Sequence, residues 1–258
     1  MNSIFLYVEK NGEITITGLK EGVSDTSIVI PETIDGMPVV EIGPKAFEFS
    51  TITDIKIGKN IKKIGEKAFY MCEKLQSVTW HCQCDVIPAD CFFGCSNLMQ
   101  FDFLGVKKVR ERAFSKSGLK EVCLPENIEV VSGWAFFECK KLSSVIWNCK
   151  CNVIPVDCFA RCSDLTQFDF SNIKRIGAHA FENSGLTSVR LSKETAVDQS
   201  GFACCNDLEK IEWLSDRNIE KNIFAECKNI KEIYISDKIK NIEASAFASS
   251  PNAEITFV

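Results

Sequence analysis

Apolar residues recur along this chain in a fixed order with a long period. A small residue followed by Phe appears at Phe47, Phe69, Phe92, Phe114, Phe136, Phe159, Phe181, Phe202, Phe224 and Phe247, at spacings of 21 to 23 residues. Five positions before each Phe stands Ile or Val, from Ile42 to Ile242, and three positions after it stands Cys or Ser. Each unit ends on an alternating run such as Leu75-x-x-Val78-x-Trp80 or Leu142-x-x-Val145-x-Trp147. Alternation of apolar and polar residues predicts one strand per unit with a single buried face. A unit of this length is too short for a crossover through a full helix, so the return path is expected to be a short strand, a tight turn or a 3₁₀ segment. Parallel stacking of the units then gives a solenoid in which each turn buries its apolar face only against its neighbours.

A longer period lies over the short one. Ser replaces Cys after Phe47, Phe114, Phe181 and Phe247, and Trp80, Trp147 and Trp213 recur in step, so the array is read as duplicated blocks of three turns. The last inward strand position runs Ile57, Trp80, Phe103, Leu124, Trp147, Phe170, Leu191, Trp213, Ile235, a rotation of sizes that suits interlocking neighbours or else records duplication without packing meaning. The start differs. Phe5 to Val8 and Ile14 to Ile16 flank Asn11-Gly12 and predict a hairpin. Residues 1–38 are expected to form a capping hairpin with a degenerate repeat, and 39–258 about ten repeats. Residues 252–258 read as one more strand with no matching cap, an open edge suited to edge-to-edge self-association.

Composition narrows the function. The 258 residues carry 30 basic and 35 acidic side chains, with no basic cluster of the kind that binds nucleic acid, and no apolar run long enough to insert in a membrane. Met1 to Val8 is too short for a signal peptide. With only 2 His, and no metalloprotease, phosphate-loop or nucleophile-elbow motif, no catalytic residue, metal site or cofactor is expected. His179 stands where other turns have Lys45, Lys67 or Arg112, a solvated slot. Of the 14 Cys, six follow the Phe column (Cys72, Cys95, Cys139, Cys162, Cys205, Cys227). Cys91 and Cys158 precede a Phe, and Cys84 and Cys151 lie eight before one. These are inward columns, in which a free thiol serves as a small hydrophobe. Cys82, Cys123, Cys149 and Cys204 remain, Cys123 on the outer sheet face. A zinc site at His81-Cys82-x-Cys84 is opposed by Asn148 in the duplicate block. Disulfides along the column fit strand spacing but not the torsion a bridge needs, so the column is expected to be reduced.

The run Ile64-Gly65-x-x-Ala68-Phe69-x-x-Cys72-x-x-Leu75-x-x-Val78 resembles the BspA-like leucine-rich repeats, as does the opening stretch from Ile28 to Gly43. The resemblance implies a right-handed leucine-rich-repeat superhelix, with a parallel sheet on one face and short turns or 3₁₀ helices on the other. It also implies a non-enzymatic role in adhesion or protein binding, often at a cell surface or after secretion, and brings no shared catalytic residues. A cytoplasmic scaffold is the alternative, favoured by the free thiols; a cysteine-dependent enzyme is the third reading.

The candidate binding surface is the outer face of the strands, where the residues flanking each central Val point away from the core. Arg and Tyr favour its C-terminal part. The expected partner-contacting residues there are Ser188, Arg190, Lys210, Glu212, Glu232 and Tyr234, with Gln167 and Asp169 from the preceding turn.

Overall fold

The computed structural model describes residues 3–243 and 245–258; the first two residues of the Met1–Val8 stretch lie outside them. Among the described residues the chain forms a β-solenoid with no helix, and two kinds of strand recur. Four-residue strands such as Asp54–Ile57, Ser77–Trp80 and Ser144–Trp147 carry the alternating run. Two-residue strands such as Lys63–Ile64, Val86–Ile87 and Lys108–Val109 carry the Ile or Val that precedes Phe by five. Both kinds pair in parallel, equivalent residue on equivalent residue: Ile55 beside Val78, Val122 beside Val145, Ile87 beside Val109. At the start, Phe5–Lys10 and Glu13–Leu19 form the expected hairpin, with Asn11 and Gly12 at φ 55° and 76°. Glu13–Leu19 pairs in parallel with Met37–Ile42, so the hairpin joins the stack of short strands.

Around each Phe the return path is a tight turn in which alternate amides serve different turns of the solenoid. Phe69 N–H donates to Cys91 O of the next turn (3.0 Å), Tyr70 N–H donates back to Lys67 O (3.0 Å), and Met71 N–H reaches Phe93 O (2.7 Å). The residues two before and two after Phe take positive φ, as at Lys67 (59°) and Met71 (55°), and the same two positions do so turn after turn. An L-residue loses about 1–2 kcal/mol there. An inter-turn hydrogen bond from each of these two residues' own N–H offsets that cost, Lys67 to Ala89 O and Met71 to Phe93 O.

Inside, the ten Phe form one stack. Successive ring centroids are 5.3–5.8 Å apart and neighbouring planes lie within 23° of parallel. Trp80, Trp147 and Trp213 set their edges against Phe92, Phe159 and Phe224 of the next turn at 5.9, 5.8 and 6.0 Å. The rotation of residue sizes in the strand column therefore has a packing meaning.

The Cys column does more than fill space. Each thiol donates to the carbonyl of the Phe one turn back: Cys72 to Phe47 O (2.9 Å), Cys139 to Phe114 O (3.1 Å), Cys162 to Phe136 O (3.2 Å). Ser substitutes in this column because its hydroxyl is also a small donor. Ser117 and Ser184 contact the sulfurs of Cys139 and Cys205 at 3.3 and 3.4 Å, and Ser250 donates to Cys227 O. The small-hydrophobe reading of these thiols is thus incomplete: they are buried hydrogen-bond donors.

The expectation of one strand in every turn also needs correction. Segments 98–103 and 165–170 form no strand. Phe101 and Phe168 stand where other turns have Val, and Phe101 packs among Trp80, Phe92, Phe103 and Phe114 at 5.0–5.6 Å. The larger ring holds the backbone off the strand plane. Asp102 and Asp169 then accept from Leu104 and Ser171 N–H (2.9 Å each), which turns the chain out of the ladder. The short-strand stack breaks at three places, between Ile64 and Ile87, between Val131 and Ile154, and between Val197 and Ile219, and the first two have a cause in the sequence. The residue after the short strand donates one turn back, as Arg110 N–H does to Ile87 O (3.0 Å). Pro88 and Pro155 occupy that position at the first two breaks and have no N–H to give.

Candidate recognition surface

The interruptions divide the long strands into sheets of three, two and four strands, and the four-stranded one is C-terminal. It comprises Ser188–Leu191, Lys210–Trp213, Glu232–Ile235 and Glu254–Phe257. Its inward residues Val189, Ile211 and Ile233 are buried, which fixes the register and turns the alternate residues outward. Two outer rows result, Ser188–Lys210–Glu232–Glu254 and Arg190–Glu212–Tyr234–Thr256.

Six of the eight expected residues meet on this sheet, and five of them interact through their side chains. Arg190 Nη1 lies 2.5 Å from Glu212 Oε2, and Lys210 Nζ lies 3.2 Å from Glu212 and 3.9 Å from Glu232. The Lys210 ammonium sits 5.0 Å from the centre of the Tyr234 ring, and the Tyr234 hydroxyl donates to Glu232 (3.3 Å). Exposed ion pairs of this kind contribute roughly 0–1 kcal/mol each to stability. They order the side chains across three strands while both signs of charge stay accessible. Gln167 and Asp169 belong to the turn that forms no strand and lie outside this sheet, and Asp169 is engaged with Ser171 N–H. Cys123 faces outward with Ile146 as its cross-strand neighbour.

A second exposed feature lies on the turn side. Phe49, 65% exposed, meets the Tyr70 ring edge-on at 5.8 Å, and Tyr70 stacks on Phe93 at 4.9 Å. Lys67 and Lys116 lie over Tyr70 and Phe93 at 5.5 and 5.7 Å. The doublets Phe69-Tyr70 and Phe92-Phe93 were the available signal for this strip, since other turns have Ser115 or Ala160 beside the ladder Phe. His179 Nδ1 contacts Glu182 Oε2 at 2.6 Å on the same side, and burial together with the Glu182 charge pushes the Cys204 thiol up. Among the described residues no three His, Cys, Asp or Glu side chains converge as metal ligands.

No curated protein matches the sequence. The model of the BspA-type leucine-rich repeat region matches residues 21–143, 104–209 and 152–258. Among solved structures, a leucine-rich repeat protein from Bacteroides ovatus is similar over 100% of this chain and 81% of its own, with TM-score 0.75 and 22% identity. The pneumococcal vaccine antigen PcpA is similar over 99% of this chain and 80% of its own, with TM-score 0.55 and 16% identity. The repeat match extends over nearly the whole length, and the stacked Phe and thiol columns are its physical content: this chain belongs to the BspA-type leucine-rich repeat family.

Proposed function

We propose that this protein is a non-enzymatic recognition module, an adhesin-like protein at the cell surface or secreted, that binds a protein partner through the outer face of its C-terminal sheet. The observation that carries the reading is the unbroken four-stranded sheet with Arg190, Lys210, Glu212, Glu232 and Tyr234 ordered on its open face. A sheet fixed by backbone hydrogen bonds and a buried inner face presents these side chains with little entropy left to lose on binding. Arg and Tyr are the residue types that most often anchor interfaces. Ser188 extends the surface along the same strands, and Gln167 and Asp169 add a rim from the preceding turn.

Pull-down of matrix and cell-surface proteins by the full chain tests this, with Arg190→Glu combined with Lys210→Glu as the variant. The substitutions place two further carboxylates beside Glu212 and Glu232, and retained affinity is expected to fall by roughly tenfold or more. Binding that survives the double substitution would remove this face from consideration. A second reading, an intracellular scaffold, is favoured by the fourteen unpaired thiols. Antibody labelling of intact against permeabilised cells separates the two.

A further inference from the structure

The two Cys-x-Cys connectors have no part in the recognition surface, and the third block shows that the fold does not need their thiols. In each block the connector after the Trp strand is closed by the indole N–H. Trp80 Nε1 donates to Cys84 O (3.3 Å), Trp147 Nε1 to Cys151 O (2.7 Å) and Trp213 Nε1 to Arg217 O (2.9 Å). In the third connector Ser215 and Arg217 stand where the others have two cysteines, and the loop closes in the same way. In the first two the chain bends at 82–83 and at 149–150, which sets the two thiols of each pair beside one another. One member of each pair is buried, Cys84 at 7% and Cys149 at 9% exposure, while Cys82 and Cys151 are half-buried. Cys151 also lines a groove of about 420 Å³ beside Val131, Lys150, Asn152 and Pro155, where Pro155 interrupts the short-strand stack.

We propose that Cys82–Cys84 and Cys149–Cys151 are two dithiol exchange sites that reduce a low-molecular-weight disulfide, with the half-exposed Cys82 and Cys151 attacking and the buried Cys84 and Cys149 resolving. The Cys151 thiolate attacks one sulfur of the small disulfide. The S–S bond breaks, one thiolate leaves and takes up a proton, and a mixed disulfide forms on Cys151. Cys149 then attacks the Cys151 sulfur and gives its proton to the second departing thiolate. Two electrons and two protons pass to the small disulfide, which becomes two thiols, and a Cys149–Cys151 bridge remains. The roles follow from exposure, since a small disulfide reaches the half-buried thiol of each pair and the buried thiol is left to resolve. The Cys151 thiol donates to Ile128 O (3.7 Å), and the neighbouring Cys149 thiol and the Val131 N–H hold it down at about 7. Cys84 donates to Ile61 O (3.5 Å), and its thiol beside Cys82 lowers Cys82. A thiol that titrates near ambient pH is the effective attacking group. A bridge across one intervening residue closes a very small loop and gains little chain-entropy stabilisation, so it remains readily reducible.

The test uses the reduced full chain and oxidised glutathione at about pH 7, followed by alkylation and peptide mass analysis. Internal disulfides are expected at Cys82–Cys84 and Cys149–Cys151, with two thiols of glutathione released per pair. The buried Phe-side column is expected to stay reduced. Cys149→Ser, which places Ser where the third connector has Ser215, is expected to stop at a glutathione adduct on Cys151. Cys151→Ser is expected to abolish both adduct and bridge at that connector while Cys82–Cys84 still closes. An adduct that favours Cys149 over Cys151, pairs that stay alkylatable as free thiols, or pair reaction no faster than at the lone exposed Cys123 would each overturn the proposal.

Discussion

Replacing Cys139 decides between two accounts of the thiol column, because they predict opposite orders of stability. Cys139 is fully buried, its thiol 3.1 Å from Phe114 O and 3.3 Å from the Ser117 hydroxyl. Phe114 O also accepts from Ser117 N–H at 3.0 Å, so losing the thiol leaves that carbonyl with one partner instead of none. The lost bond is therefore worth about 0.5–1.5 kcal/mol rather than the larger cost of an orphaned group. Cys139→Ala also removes one heavy atom from a packed core, about another 0.8 kcal/mol, for a total of roughly 1.5–2 kcal/mol. Cys139→Ser loses less apolar contact and keeps a donor within reach of Phe114 O, much as the Ser250 hydroxyl serves the Cys227 carbonyl in its own turn. Its cost is expected to stay below about 1 kcal/mol. If the thiol acted only as a small hydrophobe, a buried hydroxyl would gain no compensating bond and would lose about 1–3 kcal/mol, which makes Ser worse than Ala. Urea unfolding followed by fluorescence of Trp134 and Trp147, which flank Cys139 in its own turn, measures both variants by their midpoints. An Ala variant at least as stable as the Ser variant would refute the donor role.

Alkaline pH should weaken the solenoid. Burial raises Cys72 and Cys139 from 9.0 to about 12, and raises Cys91, Cys95, Cys158 and Cys162 in the same direction. Unfolded thiols lose their protons above 9.0 while folded ones keep theirs to about 12, so this stability is complete below 9.0 and disappears as pH rises towards 12. Each such thiol contributes a slope of about 1.4 kcal/mol per pH unit, and urea midpoints that do not move between about pH 8 and about pH 10 would contradict the packing of this column. Gly118→Ala sets a Cβ 2.2 Å from Ser96 O of the preceding turn, whereas nothing lies within 4 Å of a Cβ at Gly58. Thermal unfolding should show Gly118→Ala losing about 1–3 kcal/mol or more, and equal behaviour of the two variants would count against the close approach of the turns. Trp147→Phe removes the indole donor to Cys151 O at a cost of about 0.5–1.5 kcal/mol, and hydrogen exchange at residues 149–152 should accelerate while exchange at the Phe159 turn does not.

The amino-acid order alone determined the period, the turn positions and most of the strands, the single Phe stack and the three-turn block, but not the loss of strand at 98–103 and 165–170. Each of these is a local rule written many times over, and the repetition averages out the ambiguity of any one segment. The family followed from the same columns. The breaks at Pro88 and Pro155 were also present in the sequence, because a residue without N–H cannot serve an inter-turn ladder whatever its surroundings. Other features depended on groups about one turn away in sequence, and only the tertiary structure decided them. The Phe column and the Cys column were both visible, but the thiol-to-carbonyl bond joins Cys139 to a backbone oxygen of the previous turn. Six of the proposed outer-face residues share one sheet, while Gln167 and Asp169 lie outside it because Phe168 needs more room than Val and Asp169 captures a nearby amide. The two Cys-x-Cys copies look equivalent as text, yet the buried member is the second Cys in one and the first in the other. That difference arises from how each connector bends against its neighbour, since exposure is a property of the stacked turns and not of any one of them.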